Sequence, residues 1–355
     1  MLARARSALV VGDPQQLRFV SFVADVDVAV TLARHELEGY GDRLDVRRVS
    51  AFDIAAGATS VTYLEEHYRS VPHLIEFSAR RFYRDRIALM TRHPRTERAD
   101  AIDVVRLDTS AVQGGVNRAE VDAVVGIVRE LAERDAADIG VITPFRDQAD
   151  ALESALLAAF PVEEIERLRL RTGTVHAFQG SEADTVVVSL GLADDDSPAR
   201  QRFVSDRHLF NVMVTRARER LVVVTSLRDS SGIVGDYLGY ASVLPAGVEH
   251  PPGEGPDWPA RLGARLASHG LTVRVDYPVG RWSVDLCVGD GDSAVGLICG
   301  VHPEGVAAHL ERHRALRRMG WTLRDAFASR WAQDPVRASL ELAHELRVVP
   351  AVSRA

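Results

Sequence analysis

The sequence predicts an α/β protein in which a parallel sheet carries helices on both faces and a small α+β module follows. Short apolar runs such as DIGVIT, TVVVSLGL and LVVVTS are typical of strands that are buried on both faces. Amphipathic helical stretches separate these runs, as they do between consecutive parallel strands. Residues 244–259 are rich in Pro and Gly, which indicates a linker between the first part of the chain and the second.

The elements of the first part alternate along the chain. We expect a short buried strand at residues 8–12, a mixed region up to residue 57, and a helix over VPHLIEFSARRFY. The strand AIDVVRL, the helix AEVDAVVGIVRELAER and the strand DIGVIT follow. The helix AEVDAVVGIVRELAER has one apolar stripe, which predicts that it packs on the sheet. The helix QADALESALLAAF, the strand TVVVSLGL, a helix through FNVMVTRARER and the strand LVVVTS complete this part.

The second part begins with a helix and continues with strands at VRVDYPV, WSVDLCV and AVGLIC before it ends in helices. We therefore divide the chain into residues 1–57, 58–230, 231–259 and 260–347. The third of these pieces is the predicted linker, and the fourth is the small α+β module.

Composition limits the function classes. With 46% apolar and 26% charged residues, the 355-residue chain has the balance of a soluble globular protein. Only two cysteines are present, which predicts a reducing compartment and a cytoplasmic location. The net charge of −7 argues against binding nucleic acid by bulk electrostatics, so any such contact must be local. All 43 basic residues are Arg, so this chain cannot complete a mechanism that needs a lysine ammonium.

Four islands carry most of the chemistry in the first part: GDPQQL, HYRS, TVHAFQGSEADTVVVSL and NVMVTRARER. Each places polar groups at a strand end or in a loop, where an open parallel sheet presents its ligand site. Arg69, Arg216 and Arg218 are suited to phosphate, because a guanidinium stays charged and forks onto paired oxygens. Gln16 is the kind of group that senses a terminal phosphate or its attacking water.

In order and content these islands, together with VITPFRDQ, resemble the motifs of the superfamily 1 DNA and RNA helicases over roughly residues 8–226. The resemblance implies a RecA-like domain at residues 58–230, ATP and Mg²⁺ as cofactors, and single-stranded DNA or RNA as partner. It implies catalytic roles for Gln16 and for Arg216 as arginine finger, and nucleotide contacts for Arg69, Gly180, Glu182 and Arg218. The residues that it implies at the nucleic acid are Thr143, Pro144, Thr174, His176 and Gln179.

Several of these assignments leave an alternative open. His176 and Thr143 could simply satisfy hydrogen bonds within their own loops. Arg218 and Arg220 could be ordinary surface arginines.

The resemblance also implies an earlier domain with a phosphate-binding loop that ends in Gly-Lys-Ser/Thr. No such loop occurs here, and none can occur without lysine. Residues 1–57 are therefore expected to be the end of a first RecA-like domain and its connector. We expect an isolated chain without ATPase activity and a partner polypeptide that carries the missing half. The alternatives are a non-catalytic nucleic-acid-binding or scaffold protein, and a truncated remnant.

The module at residues 260–347 weakly resembles the PD-(D/E)xK restriction-endonuclease-like domains. Asp285, in WSVDLCV, stands where that family places its first metal-binding acid. Ile298 and Gly300 stand where further acids would be needed to hold a metal. The resemblance therefore implies a degenerate nuclease without a metal site. The arginines of residues 310–318 could contact phosphate or form a solvated helix face.

Overall fold

The computed structural model describes residues 7–17, 23–45, 49–108, 111–228, 230–253 and 255–348, with side chains up to residue 346. Its first part holds short helices that contain no buried residue within their described length. These are α1 (Asp25–Arg34), a 3₁₀ turn (Glu38–Tyr40), α2 (Gly41–Leu44) and α3 (Ala51–Ala58).

The buried strand predicted at residues 8–12 is not formed. Leu9 and Val11 are 91% and 80% exposed, and residues 7–13 have no regular structure. A strand needs a neighbour that pairs with its backbone N–H and C=O groups, and no strand of the described residues lies beside this segment. The prediction was wrong because an apolar run alone does not supply that neighbour.

A five-stranded parallel sheet forms the core of the next part. From one side to the other its strands are β3 (Ile102–Arg106), β9 (Ala217–Thr225), β8 (Ala183–Ser189), β6 (Ile139–Thr143) and β7 (Arg171–Thr174). Each neighbouring pair is parallel, as predicted. One apolar cluster covers each face of the sheet. The elements are β1 (Glu66–His67), α4 (Pro72–Arg81), β2 (Ala88–Leu89), β3 (Ile102–Arg106), β4 (Val112–Gln113), β5 (Val116–Asn117), α5 (Arg118–Glu133), β6 (Ile139–Thr143), α6 (Arg146–Ala159), α7 (Val162–Leu168), β7 (Arg171–Thr174), β8 (Ala183–Ser189), α8 (Pro198–Val204), α9 (Arg207–Val214), β9 (Ala217–Thr225) and α10 (Gly232–Ala241).

Two boundaries differ from the sequence-based prediction. The helix predicted through FNVMVTRARER ends at Val214, and Ala217 already pairs with Ala183 of β8. Pairing with a buried strand overrides the helical propensity of the RARER stretch. Helix α10 lies within the predicted linker, and its buried residues, among them Tyr237 and Leu238, pack into the core of the sheet domain.

The second module contains a four-stranded sheet, in the order β10 (Val273–Val279), β11 (Trp282–Val288), β12 (Val295–Ile298) and β13 (Thr322–Asp325). The first two pairs are antiparallel and the last pair is parallel. One face of this sheet packs against α11 and α13, and the other packs against α12. The elements are α11 (Trp258–Ser268), β10 (Val273–Val279), β11 (Trp282–Val288), a 3₁₀ turn (Gly291–Ser293), β12 (Val295–Ile298), α12 (Val306–Arg318), β13 (Thr322–Asp325), a 3₁₀ turn (Ala328–Trp331) and α13 (Pro335–Val348).

The parallel direction of the five strands gives the large sheet two chemically different edges. We call the edge where its strands begin the amino edge and the edge where they end the carboxyl edge. Glu182 directly precedes β8 and Arg216 directly precedes β9, so both lie at the amino edge. Thr143 and Thr174 are the last residues of β6 and β7, so they lie at the carboxyl edge. The predicted site residues are therefore divided between two edges of the sheet.

Candidate nucleotide site and nucleic-acid interface

Arg216 is held at the amino edge by the end of helix α9. The Asp206 side chain caps the start of this helix by accepting hydrogen bonds from two backbone amides. The Arg216 side chain folds back on the helix end, where its Nε donates to the Val212 carbonyl at 2.9 Å. Its Nη1 donates to the Ser181 carbonyl at 3.2 Å, so the guanidinium bridges α9 and the loop before β8.

Arg216 is a buried cation that forms no direct ion pair in the described part of the chain, although the charges of Glu182 and Asp13 act on it from farther away. It is only 2% exposed, and no described carboxylate lies within ion-pair distance of it. Burial, and then the nearby charge of Arg69, lower the pKa of the Arg216 guanidinium to about 10. It therefore remains charged at neutral pH, where an anion such as a phosphate oxygen would stabilise it.

Arg69 lies beside Arg216 and brings a second positive charge to this edge. Its Nη2 donates to the Thr215 carbonyl at 2.7 Å, next to Arg216 in the chain. Its Nη1 lies 3.4 Å from Glu182 Oε2. Glu182 also accepts from Arg218 at 3.2 Å, so one carboxylate is shared by two arginines. Each of these three side chains keeps roughly a third of its surface exposed, which leaves them accessible to a ligand.

Arg218 is far more fully paired than Arg216. Its guanidinium binds Asp184 at 2.7 Å, and it also binds Asp138 and Glu182. These bonds raise the pKa of Arg218, with the Asp184 bond as the largest cause. Arg171 adds a second cation to Asp138 at 2.6 Å. Arg218 is thus part of a cluster of ion pairs, whereas Arg216 forms no ion pair with a described residue.

Gln16 lies in a loop that packs against the sheet domain. Its Nε2 donates to Asp13 Oδ2 at 3.1 Å, and the Tyr83 hydroxyl donates to the same oxygen at 2.7 Å. Burial and this bond raise the pKa of Tyr83 well above its ordinary value. Asn211 of helix α9 donates to the Gln15 carbonyl at 2.9 Å. The loop that carries Gln16 is therefore tied to the helix that positions Arg216.

Thr143, Pro144 and Thr174 lie at the carboxyl edge, as the motif order implies. Thr143 and Pro144 are buried, and the Thr143 hydroxyl has no hydrogen-bond partner in the described structure. The Thr174 hydroxyl accepts a bond from the Ala177 amide at 3.3 Å and thereby starts the turn that follows. Thr174 is the most accessible of the three.

His176, Gln179 and Gly180 belong to the segment that crosses from the end of β7 to the start of β8. Burial lowers the pKa of His176, so its ring is neutral at physiological pH. Gln179 is exposed, and its Nε2 donates to the Leu17 carbonyl at 3.1 Å. Gly180 has a φ of +86°, a left-handed conformation that a side chain would strain. This segment therefore links the two edges and also contacts the loop of Gln16.

An aromatic surface at the carboxyl edge was not predicted from the sequence. Phe203 is 41% exposed, and its ring lies nearly parallel to that of His176, with 6.4 Å between ring centroids and 9° between planes. Phe145 lies 5.8 Å from Phe203, and the Arg200 guanidinium sits 3.6 Å from the centroid of Phe145. His176 and Phe145 lie in motifs that the sequence had singled out, whereas Phe203 and Arg200 carried no sequence signal. Aromatic rings beside arginine are the usual platform for the bases of a single strand.

A buried polar network behind this surface was also missed. Glu120 is fully buried and accepts bonds from the Ser189 hydroxyl at 2.6 Å and from the Gly191 amide at 2.7 Å. Burial raises the pKa of Glu120 from its ordinary value of 4.5 to about 7. Asn117 and Gln148 complete the network through two mutual bonds of 2.8 and 3.2 Å. The network ties α5 and α6 to the carboxyl ends of the central strands.

Asp285, the predicted remnant of a nuclease site, is paired with an arginine. Its Oδ1 lies 2.9 Å from Nη1 of Arg312, which is only 4% exposed, and its Oδ2 accepts from the Cys299 amide at 2.6 Å. The described residues contain no group of three His, Cys, Asp or Glu side chains that could hold a metal ion. Asp285 therefore serves as the counter-ion of Arg312.

None of the described helices is long and apolar enough to cross a membrane. The cytoplasmic location stays a prediction.

Comparison with known proteins identifies the sheet domain. Residues 48–228, about half of the chain, match the family model AAA_12, an AAA domain. The chain is 29% identical over 161 residues to the DNA replication ATP-dependent helicase/nuclease JHS1 of Arabidopsis thaliana, a match that covers 41% of this chain and 11% of that protein. It is 31% identical over 93 residues to the human RNA helicase Mov10l1, covering 25% and 7% respectively.

A solved structure, the C-terminal domain of a possible DNA helicase from a Lactobacillus, is 21% identical and covers 45% of this chain and 87% of its own, with a TM-score of 0.30. The chain spans only a small part of both curated relatives, at most 11% of their length. The matches to the curated relatives support a superfamily 1 helicase-like domain, as the motifs implied.

Proposed function

The chain belongs to the AAA_12 family of AAA domains, and on that premise we propose that it supplies the second RecA-like half of an ATP-dependent superfamily 1 helicase. The strand on which it acts is single-stranded DNA or RNA. The observation that carries this proposal is Arg216, a buried cation that forms no direct ion pair with a carboxylate of the described structure. Bound ATP supplies the γ-phosphoryl group whose transfer releases the free energy for movement.

Arg216 acts as the arginine finger in this proposal. Its guanidinium is fixed by two carbonyl groups, so little reorganisation is needed when negative charge develops on the phosphoryl oxygens. Arg69 adds a second cation from the neighbouring segment. The same edge also contains Glu182, Arg218 and Gly180. Gln16 is connected to this edge through its loop, which is hydrogen-bonded to helix α9.

The lysine that holds the β- and γ-phosphates has to come from outside these 355 residues, because they contain no lysine. We propose that the acidic pair that binds Mg²⁺ in this family also lies on the half that carries this lysine. We therefore propose a lysine-bearing partner half and expect negligible ATP hydrolysis from these 355 residues alone.

The test is ATP hydrolysis stimulated by a single-stranded oligonucleotide, measured with and without a lysine-bearing RecA-like domain. We expect turnover only in the mixture, and a loss of about 1,000-fold in Arg216→Ala. Arg220→Ala is the matched control, since Arg220 lies in β9, four residues after Arg216, but is paired with Asp103 at 2.7 Å. Robust turnover by the chain alone, or equal turnover by Arg216→Ala in the mixture, would contradict the proposal.

A second candidate function is binding of a single strand without catalysis, as a scaffold. The aromatic surface of His176, Phe203 and Phe145 favours it, because base stacking needs no nucleotide. Thr174 and Gln179 lie on the segments that flank His176. This candidate predicts salt-sensitive binding of an oligonucleotide that ATP does not alter, and absence of binding would exclude it.

For the second module we propose a degenerate restriction-endonuclease-like domain. The support is that Asp285 is paired with a buried arginine and belongs to no group of three potential metal ligands in the described structure. We expect no cleavage of DNA in the presence of Mg²⁺ or Mn²⁺. Cleavage that disappears in Asp285→Asn would contradict this assignment.

A further inference from the structure

The second module is packed onto the sheet domain and is not merely tethered to it. Met90 of the sheet domain is fully buried in an apolar cluster whose other members include Tyr277 and Trp321 of the module. Glu97 of the sheet domain is also buried, and it lies 3.2 Å from Arg274 of the module. Because apolar groups and a buried ion pair both cross the junction, a movement of the module against the sheet domain would break both.

The segment Glu66–Ser70, in which motif HYRS lies, runs along this junction. On one side it contacts the module. Glu66 Oε1 lies 2.6 Å from Nε of Arg281, and the guanidinium of Arg318 lies 4.6 Å from the ring centroid of Tyr68. The Tyr68 hydroxyl donates to Glu66 at 2.5 Å, so these two side chains form one unit against the two arginines of the module.

On its other side the same segment contacts the amino edge of the large sheet. Arg69 donates to the Thr215 carbonyl at 2.7 Å, and the Ser70 hydroxyl donates to the Ala217 carbonyl, also at 2.7 Å. These two carbonyls flank Arg216. Ser70 is further fixed because its amide donates to Nε2 of His67 at 2.8 Å. Burial, and then the charge of Arg69, lower the pKa of His67 to about 4, so this nitrogen stays an acceptor at neutral pH.

We infer that the second module positions Arg69, with Arg281 and Arg318 as the positioning residues. Only two residues, His67 and Tyr68, separate Glu66 from Arg69 in the chain. A shift of Glu66 or Tyr68 therefore also moves the backbone of Arg69. A ligand that engages either module arginine competes with this contact and displaces the segment.

The inference rests on the proposed function in one respect, which is that Arg69 contacts the nucleotide. Whether the second module positions Arg69 can be tested without any nucleotide. In Arg281→Glu a carboxylate faces both Glu66 and Glu311, which lies 3.6 Å from Arg281. Arg281 is 56% exposed, so this substitution leaves the core intact. Arg265→Glu makes the same charge change on an exposed position of α11 and is the matched control.

The first measurement is hydrogen exchange of the full chain, read at the backbone amides of Ser70 and Val71. The Val71 amide donates to the Arg218 carbonyl at 3.0 Å and reports the docking of the segment on β9. We expect exchange about 5-fold faster in Arg281→Glu, unchanged in Arg265→Glu, and restored in Arg281→Lys. Unchanged exchange in Arg281→Glu overturns the inference.

The second measurement is the KM for MgATP and the kcat of the full chain mixed with the lysine-bearing half. We expect Arg281→Glu to raise KM about 5-fold with little change in kcat, in the same direction as Arg69→Ala. If Arg69→Ala raises KM and Arg281→Glu does not, the inference is overturned and the proposed function stands. If Arg69→Ala has no effect, the proposed role of Arg69 fails, and the exchange result alone decides whether the module positions the segment.

Discussion

The two edges of the large sheet differ in the groups that stabilise a buried charged side chain. At the amino edge Arg216 is buried and forms no ion pair with a described carboxylate, although the charges of Glu182 and Asp13 partly compensate its own from farther away. At the carboxyl edge Glu120 is equally buried, but three neighbours donate hydrogen bonds to it. A satisfied network stabilises a fold, whereas an unpaired buried charge is costly and is retained where a ligand completes it. The comparison supports our proposal that an anion binds at the amino edge, whereas the Glu120 network holds the carboxyl edge together.

The largest effect on stability is expected from Glu120 through pH. Its pKa is raised in the folded protein, so the folded state binds more protons than the unfolded state between pH 4.5 and about 7. The stability that this group contributes is complete below pH 4.5 and is lost as pH rises through 7, by up to about 3 kcal/mol. Glu120→Gln should remove this loss, as measured by urea unfolding at pH 5 and pH 8.

Glu130→Gln is the control for this experiment, because Glu130 lies exposed on the same helix. Its pH dependence should equal that of the wild type. If Glu120→Gln and the wild type lose the same free energy of unfolding between the two pH values, the network does not control stability at the carboxyl edge.

A smaller effect distinguishes the two arginines of motif NVMVTRARER. Arg218→Met removes three partly exposed ion pairs, although Asp138 keeps Arg171 and Glu182 keeps Arg69, and we expect the free energy of unfolding to fall by about 2 kcal/mol. Arg216→Met removes a buried charge that forms no ion pair with a described carboxylate, and we expect a change below about 1 kcal/mol. Urea unfolding of both variants at neutral pH tests this order. A larger loss in Arg216→Met would mean that Arg216 stabilises the fold more than the ion-pair cluster does.

The smallest effect concerns the aromatic surface at the carboxyl edge. Phe203→Ala should weaken binding of a single-stranded oligonucleotide about 10-fold, because one stacking partner is lost. The salt dependence of binding should not change, because no phosphate contact is removed. Leu157→Ala, at a 61% exposed position of α6, is the control. Equal affinity of Phe203→Ala and the wild type would exclude Phe203 from the interface.

The sequence predicted the parts of the fold that local pattern determines. The run DIGVIT is buried at every position of β6, and this is why its apolar residues identified it as a central strand. Arg216 and Arg69 could be singled out because motif order is a property of the chain itself, and their roles stay a prediction. Residues 8–12 carried the same apolar signal as DIGVIT and formed no strand, because pairing depends on a neighbour that the pattern does not describe.

The features that were missed depend on residues far apart in the sequence. Glu120 looks like an ordinary acid in the first turn of a helix, yet its donors Ser189, Gly191 and Ser226 lie at or just after the ends of two later strands. The pairing of Asp285 with Arg312 joins a strand to a helix across 27 positions. Neither partner can be identified by spacing, since only the fold brings them together.

The shared core at Met90 has a consequence for how the molecule comes apart. Tyr277 and Trp321 of the small module lose their packing when the sheet domain unfolds, and Met90 is exposed when the module unfolds. Two bodies joined through a common apolar cluster melt together, whereas bodies on a flexible tether melt separately. Calorimetry of residues 1–355 should therefore record one cooperative transition. The enthalpy of that transition should include the unfolding of both parts of the chain.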